Sequence, residues 1–277
     1  MPVRIVSSKQ NARLKELRRA LAFPGRKAAG MAGVEGPHLL EEALRAGIHI
    51  GAVFAGDGMQ HYVQDLPLAP EVEVLVMPRG ILAGTLSTET PQPVAALVEI
   101  PDWTLAHMLS PTHRPPLILV LAGLQDPGNL GTIVRSAEAF GANGVIALPG
   151  TVSPWNPKAL RASAGSIFRL PFLAMDADEC FAALKESGVR IMATTVRGAE
   201  PVDMVDLSSP VAFLIGNEGN GVPMDIATHA DLAVTIPCPG PVESLNAAVA
   251  ASILLYEASR QCQRVAGGPR ERRGTTR

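Results

Sequence analysis

The chain has 277 residues, 47% of them hydrophobic and 18% charged, with a formal charge of −2. That is the composition of a soluble globular protein with room for one large domain or two ordinary ones, and it excludes a uniformly basic nucleic-acid binder. Three scattered cysteines (Cys180, Cys238 and Cys262) and six histidines without paired spacing exclude a disulfide framework and a metal site and point to a reduced compartment.

Charge is concentrated at the two ends. Residues 1–27 carry Arg4, Lys9, Arg13, Lys15, Arg18, Arg19, Arg26 and Lys27 against Glu16 alone, and the last residues add Arg264, Arg270, Arg272, Arg273 and Arg277 against Glu271. Such ends suit contact with a phosphate backbone; they read equally as a solvated helix face and a disordered tail. No apolar signal segment follows the basic N-terminus. The longest apolar stretch, around 247–256, falls short of the ~18 residues a membrane span needs. The reading is a cytoplasmic protein.

In chain order, Ser8 is placed to cap a helix running to about Leu21, with Leu14, Leu17 and Leu21 on one stripe. The loop PGRKAAG follows. Between 31 and 100, apolar runs at 31–35, 51–54, 72–77 and 94–100 read as strands, and 35–47 reads as a helix ended by Gly47. Glu35-Gly36 and the Ser87–Gln92 loop read as turn chemistry, with contact to a partner as the alternative. Residues 101–116 hold Pro101, Pro111, Pro115 and Pro116 and mark a linker. Beyond it, LILVLA (117–122) reads as a strand buried on both faces. Helix at 130–140, strand at 144–148, helix after Asn156-Pro157, strand near 170–174 and helix at 177–187 come next. Strands at 190–195, 211–215 and 232–236 and a long helix from Asn246 to about Arg264 complete the pattern. This alternation predicts an α/β fold with a mostly parallel sheet, and periodicity alone suggests the open doubly wound kind. The domain reading is 1–100, a linker at 101–116, 117–264, and a basic disordered tail at 265–277.

Three glycine-rich segments carry the chemistry, each after a strand-like run: GLQDPGNLGTIVRSAEAFGANG (123–144), FLIGNEGNGVP (213–223) and IPCPGPVESLNAAVA (236–250). Strand ends of a parallel sheet are where ligands bind, and these turns hold Asn129, Arg135, Glu218, Ser244 and Asn246. All but Asn129 have a plainer explanation: Arg135 as a surface ion pair, Ser244 or Asn246 as a helix cap, and Glu218 as part of an Asn-Gly turn at 216–221, although that run is longer than a turn needs. The glycines at 123, 128 and 131 do not space as a dinucleotide fingerprint, and no Gly-Lys-Ser/Thr completes a P-loop.

Taken in order, NxGxxxRSAxxFG, the GNExxG turn and IPxxGxxxSLNxAxAxxIxLYE resemble the three signature motifs of the SpoU-type (TrmH-like) RNA ribose 2′-O-methyltransferases of the SPOUT superfamily, over about 115–262. More loosely, SKQNARLKEL, VEGPHLLEEAL and STETPQPVAALVE resemble the L30e-like substrate-binding domain that often precedes it. The resemblance implies a C-terminal deep trefoil knot formed by about 213–262, S-adenosylmethionine as cofactor, no metal, and a homodimer in which the partner completes each site. By position, Asn129, Arg135, Glu218, Ser244 and Asn246 match the polar catalytic set. Gly216, Ile236 and Leu245 match positions whose backbones hold the adenine, with Thr195, Leu214, Asn217 and Pro237 as neighbours lining it.

The implied reaction is methyl transfer to a ribose 2′-hydroxyl of a structured RNA, ribosomal RNA being favoured over transfer RNA by the L30e-like domain. Two rival readings are a non-catalytic RNA-binding assembly factor, which the complete polar set disfavours, and a nucleotide-dependent oxidoreductase, which the missing fingerprint disfavours.

Overall fold

The computed structural model describes residues 2–22, 30–86, 88–110, 114–196 and 198–267, with side chains described to residue 263. The PGRKAAG loop apart from Gly30, Ser87 of the Ser87–Gln92 loop, and Arg270, Arg272, Arg273 and Arg277 of the tail lie outside the described residues. Two compact units are present. One comprises Met1–Asp102, Asp126–Arg135 and Val152–Arg169; the other comprises Trp103–Gln125, Ser136–Thr151 and Leu170–Arg277.

The first unit begins with β1 (Val3–Ile5), α1 (Ala12–Ala22), β2 (Met31–Glu35), α2 (Pro37–Arg45), β3 (Ile50–Gly56), α3 (Gln60–Gln64), β4 (Glu73–Met77), α4 (Arg79–Ala83) and β5 (Val94–Glu99). Its sheet runs β1-β4-β3-β5-β2, with β1, β4 and β3 parallel and β5 antiparallel to both neighbours. The leucine stripe of α1 (Leu14, Leu17, Leu21) packs on Ala52, Phe54, Leu75, Met77, Ala95 and Leu97. Those strand residues alternate along β3, β4 and β5, as one face of a pleated sheet requires. Intervening residues such as Val53, Val74 and Ala96 are buried as well. Both faces are therefore covered, and these strands are apolar throughout.

Two expectations for this unit need correction. Ser8 is not the cap of α1: its hydroxyl takes only the Gln10 amide, at 3.1 Å, while Asn11 Oδ1 accepts from Arg13 N at 2.9 Å and Leu14 N at 3.4 Å. A cap must be the residue just before the first helical one, and that is Asn11. Strand β1 was not expected, because three residues carry no readable period and only pairing with β4 makes them a strand.

The chain continues with α5 (Leu105–Leu109), β6 (Leu117–Leu121), α6 (Pro127–Ala139), β7 (Gly144–Ala147), α7 (Pro157–Ser163), β8 (Phe172–Ala174), α8 (Ala177–Glu186), β9 (Arg190–Thr194), β10 (Glu200–Pro201), β11 (Val211–Ile215), α9 (Met224–Ala227), β12 (Leu232–Thr235) and α10 (Ala247–Gly267). All the strands belong to the second unit, while α7 and the first turns of α6 belong to the first. Helix α5 lies inside the proline-rich stretch, and its Met108 is buried in the second unit's core with Ile118, Ile146 and Phe181. Five residues are too few to register as helical period.

The second sheet is parallel throughout, in the order β10-β12-β9-β11-β6-β7-β8. This is not the doubly wound order that alternation alone suggested. Strand β11, late in the chain, sits between the earlier strands β6 and β9, and β12 then lies on the far side of β9. Periodicity reports which segments are strands but nothing about which ones pair. Every residue of β6 and β11 is buried, which is why both read as unbroken apolar runs. Phe213, 0% exposed at the centre of β11, gives the expectation for this part of the fold. Phe213→Ala is expected to cost ~3–5 kcal/mol of stability, seen as a lower urea midpoint at an unchanged slope.

Candidate active site

Strands β12, β9 and β11 are adjacent and parallel, so their carboxyl ends open at one edge of the sheet. The residues that leave those ends are Ile236, Thr195 and Gly216, and the segment Ala122–Gly123 leaves the neighbouring β6. The ends are locked together. Thr195 N donates to Val234 O at 3.0 Å, and the Thr194 hydroxyl donates to Leu214 O at 2.7 Å. Leu214 itself is wholly buried with its side chain in the core, so it supports this edge from beneath.

The turn after β11 folds back on itself. Asn217 and Gly221 exchange two backbone hydrogen bonds of 2.9 Å, and Asn217 Oδ1 accepts from Gly219 N at 2.8 Å. A Cβ at Gly216 would stand 2.0 Å from Gly221 C and 2.1 Å from Val222 N, closer than any side chain tolerates, so only glycine allows this return. The turn is also fastened outward. Asn217 Nδ2 donates to Gly123 O at 3.0 Å, and Gln125 N donates to Glu218 Oε2 at 3.3 Å. An ordinary Asn-Gly turn would make none of these outward bonds. Asn217 and Glu218 thus hold the loop after β6 against the turn after β11.

The third segment is exposed from Pro237 to Ser244, with Leu245 partly buried. Among the described residues, the amides from Ile236 to Leu245 make no backbone–backbone hydrogen bond. Prolines 237, 239 and 241 carry no donor, so the segment offers carbonyls and a few amides at fixed places. It suits a ligand held by main-chain groups, such as a purine ring. Asn246 Oδ1 accepts from Ala248 N at 2.9 Å and Val249 N at 3.3 Å: the plainer reading of Asn246 as the cap of α10 is correct for that atom. Ser244 is exposed and is not a cap.

Asn129 and Arg135 lie on the part of α6 that belongs to the first unit, whereas Glu218, Ser244, Asn246, Thr195, Leu214, Gly216, Asn217, Ile236, Pro237 and Leu245 belong to the second. The start of α6 is set by Asp126. Its Oδ1 accepts from Asn129 N at 2.8 Å and its Oδ2 meets Lys158 Nζ at 2.8 Å. The Lys158 ammonium, and after it the Asn129 amide, hold the Asp126 carboxyl below the usual carboxylate range. Sequence reasoning passed over Asp126 and Lys158. The Asp-Pro pair at 126–127, an N-cap followed by proline at the first helical position, was the available signal for the former. Arg135 is exposed and makes no ion pair among the described residues, so a helix-surface salt bridge does not account for it.

Among the described residues no group of three or more His, Cys, Asp or Glu is placed to hold a metal. No helix among them is long and apolar enough to cross a membrane.

Comparison with known proteins bears on this layout. Residues 116–256 match the SpoU rRNA methylase family, and residues 11–96 match the MRM3-like substrate binding domain. The chain is 32% identical over 251 residues to the 23S rRNA (guanosine(2553)-2′-O)-methyltransferase RlmP of Bacillus subtilis, covering 91% of this chain and 97% of that protein. It is 34% identical over 260 residues to an uncharacterized tRNA/rRNA methyltransferase of Synechocystis, covering 92% and 93% of the two chains. Among solved structures, an AdoMet-bound rRNA methyltransferase from Sinorhizobium meliloti superposes with a TM-score of 0.81 at 29% identity, covering 93% of this chain and 98% of that one. The SpoU methyltransferase AviRb of Streptomyces viridochromogenes, in complex with AdoMet, gives 0.79 at 29% identity, covering 93% and 100%. If the turn after β11 must close as tightly as it does to present its main chain, Gly216→Ala should weaken S-adenosylmethionine binding by about tenfold or more and cost ~1–3 kcal/mol of stability. Isothermal titration and a denaturant midpoint measure the two effects separately.

Proposed function

Because the chain belongs to the SpoU rRNA methylase family, we propose that its substrate is ribosomal RNA and that the residues below carry the reaction. The chain is an S-adenosylmethionine-dependent RNA ribose 2′-O-methyltransferase. What carries the residue assignment is that Ile236, Thr195 and Gly216 leave three adjacent parallel strand ends, with an unpaired main-chain segment beside them. The ribosomal assignment is supported by the activity of the Bacillus subtilis relative and by the match of residues 11–96 to a substrate-binding domain.

When bound, S-adenosylmethionine supplies a methyl group on a sulfonium, electrophilic without a metal. Main-chain groups of Gly216, Ile236 and Leu245 would hold its adenine, with Thr195, Asn217 and Pro237 around it and Leu214, buried in the core, supporting the strand end from beneath. A ribose hydroxyl is a weak nucleophile, so as the oxygen–carbon bond forms and the methyl–sulfur bond breaks its proton must pass to water, which reaches the exposed Arg135 and Ser244. A guanidinium is always charged and makes a poor base. Arg135 therefore clamps the adjacent phosphate and stabilises negative charge developing on the 2′-oxygen. Asn129, Ser244 and Asn246 orient the ribose, and Glu218 keeps the loop after β6 in place.

Three further readings belong with this proposal. The place of β11 between β6 and β9, with β12 beyond β9, supports a threaded, trefoil course for the 213–262 segment. Val249 and Tyr256, 47% and 55% exposed and seven residues apart on α10, form an apolar face that supports a homodimer whose partner completes each site. The substrate implies a cytoplasmic enzyme.

Arg135→Ala is expected to lower methyl transfer by ~100-fold or more while leaving S-adenosylmethionine affinity near wild type. Unchanged turnover would remove Arg135 from the mechanism. Mapping ribose methylation across total RNA with and without the protein is expected to show one lost ribosomal position; loss of a transfer RNA position instead would overturn the ribosomal assignment.

A further inference from the structure

The first unit joins segments that are distant along the chain, and the contacts that join them form a continuous path. At its outer end is Glu42 on α2. A Cβ at Gly165, which has φ +89°, would stand 2.5 Å from Glu42 Cβ and 2.7 Å from Glu42 Cγ. The backbone at 165 therefore lies directly on the stem of Glu42, and only glycine permits it. The Glu42 carboxylate, with its side chain 12% exposed, meets Arg169 Nη1 at 2.7 Å through Oε2 and Arg45 Nη1 at 2.5 Å through Oε1. Arg169, and with it Arg45, holds the Glu42 carboxyl below its usual range.

From that turn the chain leads back into α7, which lies against α6 at van der Waals distance. A Cβ at Gly131 would stand 2.3 Å from Ala159 O, 2.6 Å from Ala162 Cβ and 2.8 Å from Ser163 N. The Asp126–Lys158 pair, at 2.8 Å, spans the same two helices. Asn129 and Arg135 flank Gly131 on α6. The path runs from α2 through the 165–169 turn and α7 to the stretch of α6 that carries two of the polar residues.

We propose that Glu42 and Arg169 are positioning residues: their ion pair, seated on Gly165, fixes the substrate-binding α/β unit to the helix pair that carries Asn129 and Arg135. RNA held by residues 11–96 is then registered against those two side chains by one rigid contact path. The proposal rests on the functional reading above. A purely structural role for this partly buried pair predicts a lower denaturant midpoint on losing it, with kcat unchanged wherever the protein is folded.

The test uses the full-length protein carrying Glu42→Gln, Arg169→Ala or Arg169→Lys. With ribosomal RNA as substrate, Glu42→Gln and Arg169→Ala should each lower kcat by about tenfold, the scale set by a small misplacement of a catalytic group. The RNA KM and the S-adenosylmethionine affinity should stay within about twofold of wild type. Arg169→Lys, which keeps the charge, should recover most of the loss. An unchanged kcat overturns the proposal, and so does a loss confined to KM, which would make Arg169 a direct RNA contact. Amide hydrogen exchange needs no substrate and separates this proposal from the functional one. In Glu42→Gln the amides of 126–135 and 157–163 should exchange faster than in wild type while those of β9 and β11 stay unchanged. Unchanged exchange in 126–135 overturns the coupling, whatever RNA the enzyme methylates.

Discussion

The second unit depends on the seating of β11. Paired on one edge with β6 and on the other with β9, and buried on both faces, this strand has no freedom of register: a one-residue slip would turn Phe213 and Leu214 to the wrong sides. Its end is therefore fixed, and with it the place where the chain must reverse. Gly216 allows that reversal to close onto Gly221 and Val222. Asn217 and Glu218 then fasten the turn to the loop after β6 through Gly123 and Gln125. A buried strand thus sets an exposed turn, and side-chain bonds from that turn set a second loop.

The three glycine-rich segments differ in how they present polar groups. In the 216–221 turn, Asn217, Glu218, Gly219 and Gly221 spend hydrogen bonds within the turn or on the loop after β6, so these residues act as a support and the main chain of Gly216 takes part in none of those bonds. The 236–245 segment spends almost none of its main chain, so it is the part available to a ligand. The start of α6 is held by the Asp126 side chain, which leaves Arg135, further along the same helix, exposed. On the proposed reading this division matches the chemistry. A cofactor gripped through main-chain groups needs a segment that other parts of the fold do not use, and a developing alkoxide needs a permanent cation that no carboxylate has already neutralised.

How much of this could be read from the chain follows from range. The runs at 117–122 and 211–215 were legible because burial on both faces removes every polar residue from them. The α1 stripe was legible because Leu14, Leu17 and Leu21 repeat at helical spacing. Strand β1 and helix α5 were not, since three or five residues carry no period. The cap of α1 was misplaced from Asn11 to Ser8 because both are good capping residues and only the geometry chooses between them. The order of the second sheet was beyond any local signal, since it depends on which distant strands pair. So was the Glu42–Arg169 contact, whose partners are separated by 127 residues. The motif residues stand out in the sequence through resemblance and through their place after strands, whereas Asp126 and Lys158, which hold the start of α6, belong to no cluster that spacing reveals.

The N-terminal charge shows how structure narrows a compositional argument. Arg4 and Arg13 face Glu73, and Arg13 also meets Glu16, so part of the basic excess at this end is spent within the fold. Lys15, Arg18 and Arg19 remain exposed on α1. Lys15 and Arg19 fall away from the stripe of Leu14, Leu17 and Leu21, while Arg18 lies at its edge, its guanidinium 3.5 Å from the Thr85 hydroxyl. The periodicity that seats α1 on its sheet therefore also gathers cations on its outer side. A chain with a formal charge of −2 carries a locally basic helix in the unit that matches a substrate-binding domain. For RNA, whose phosphates are felt over about a Debye length of ~10 Å, the local cluster matters and the total does not.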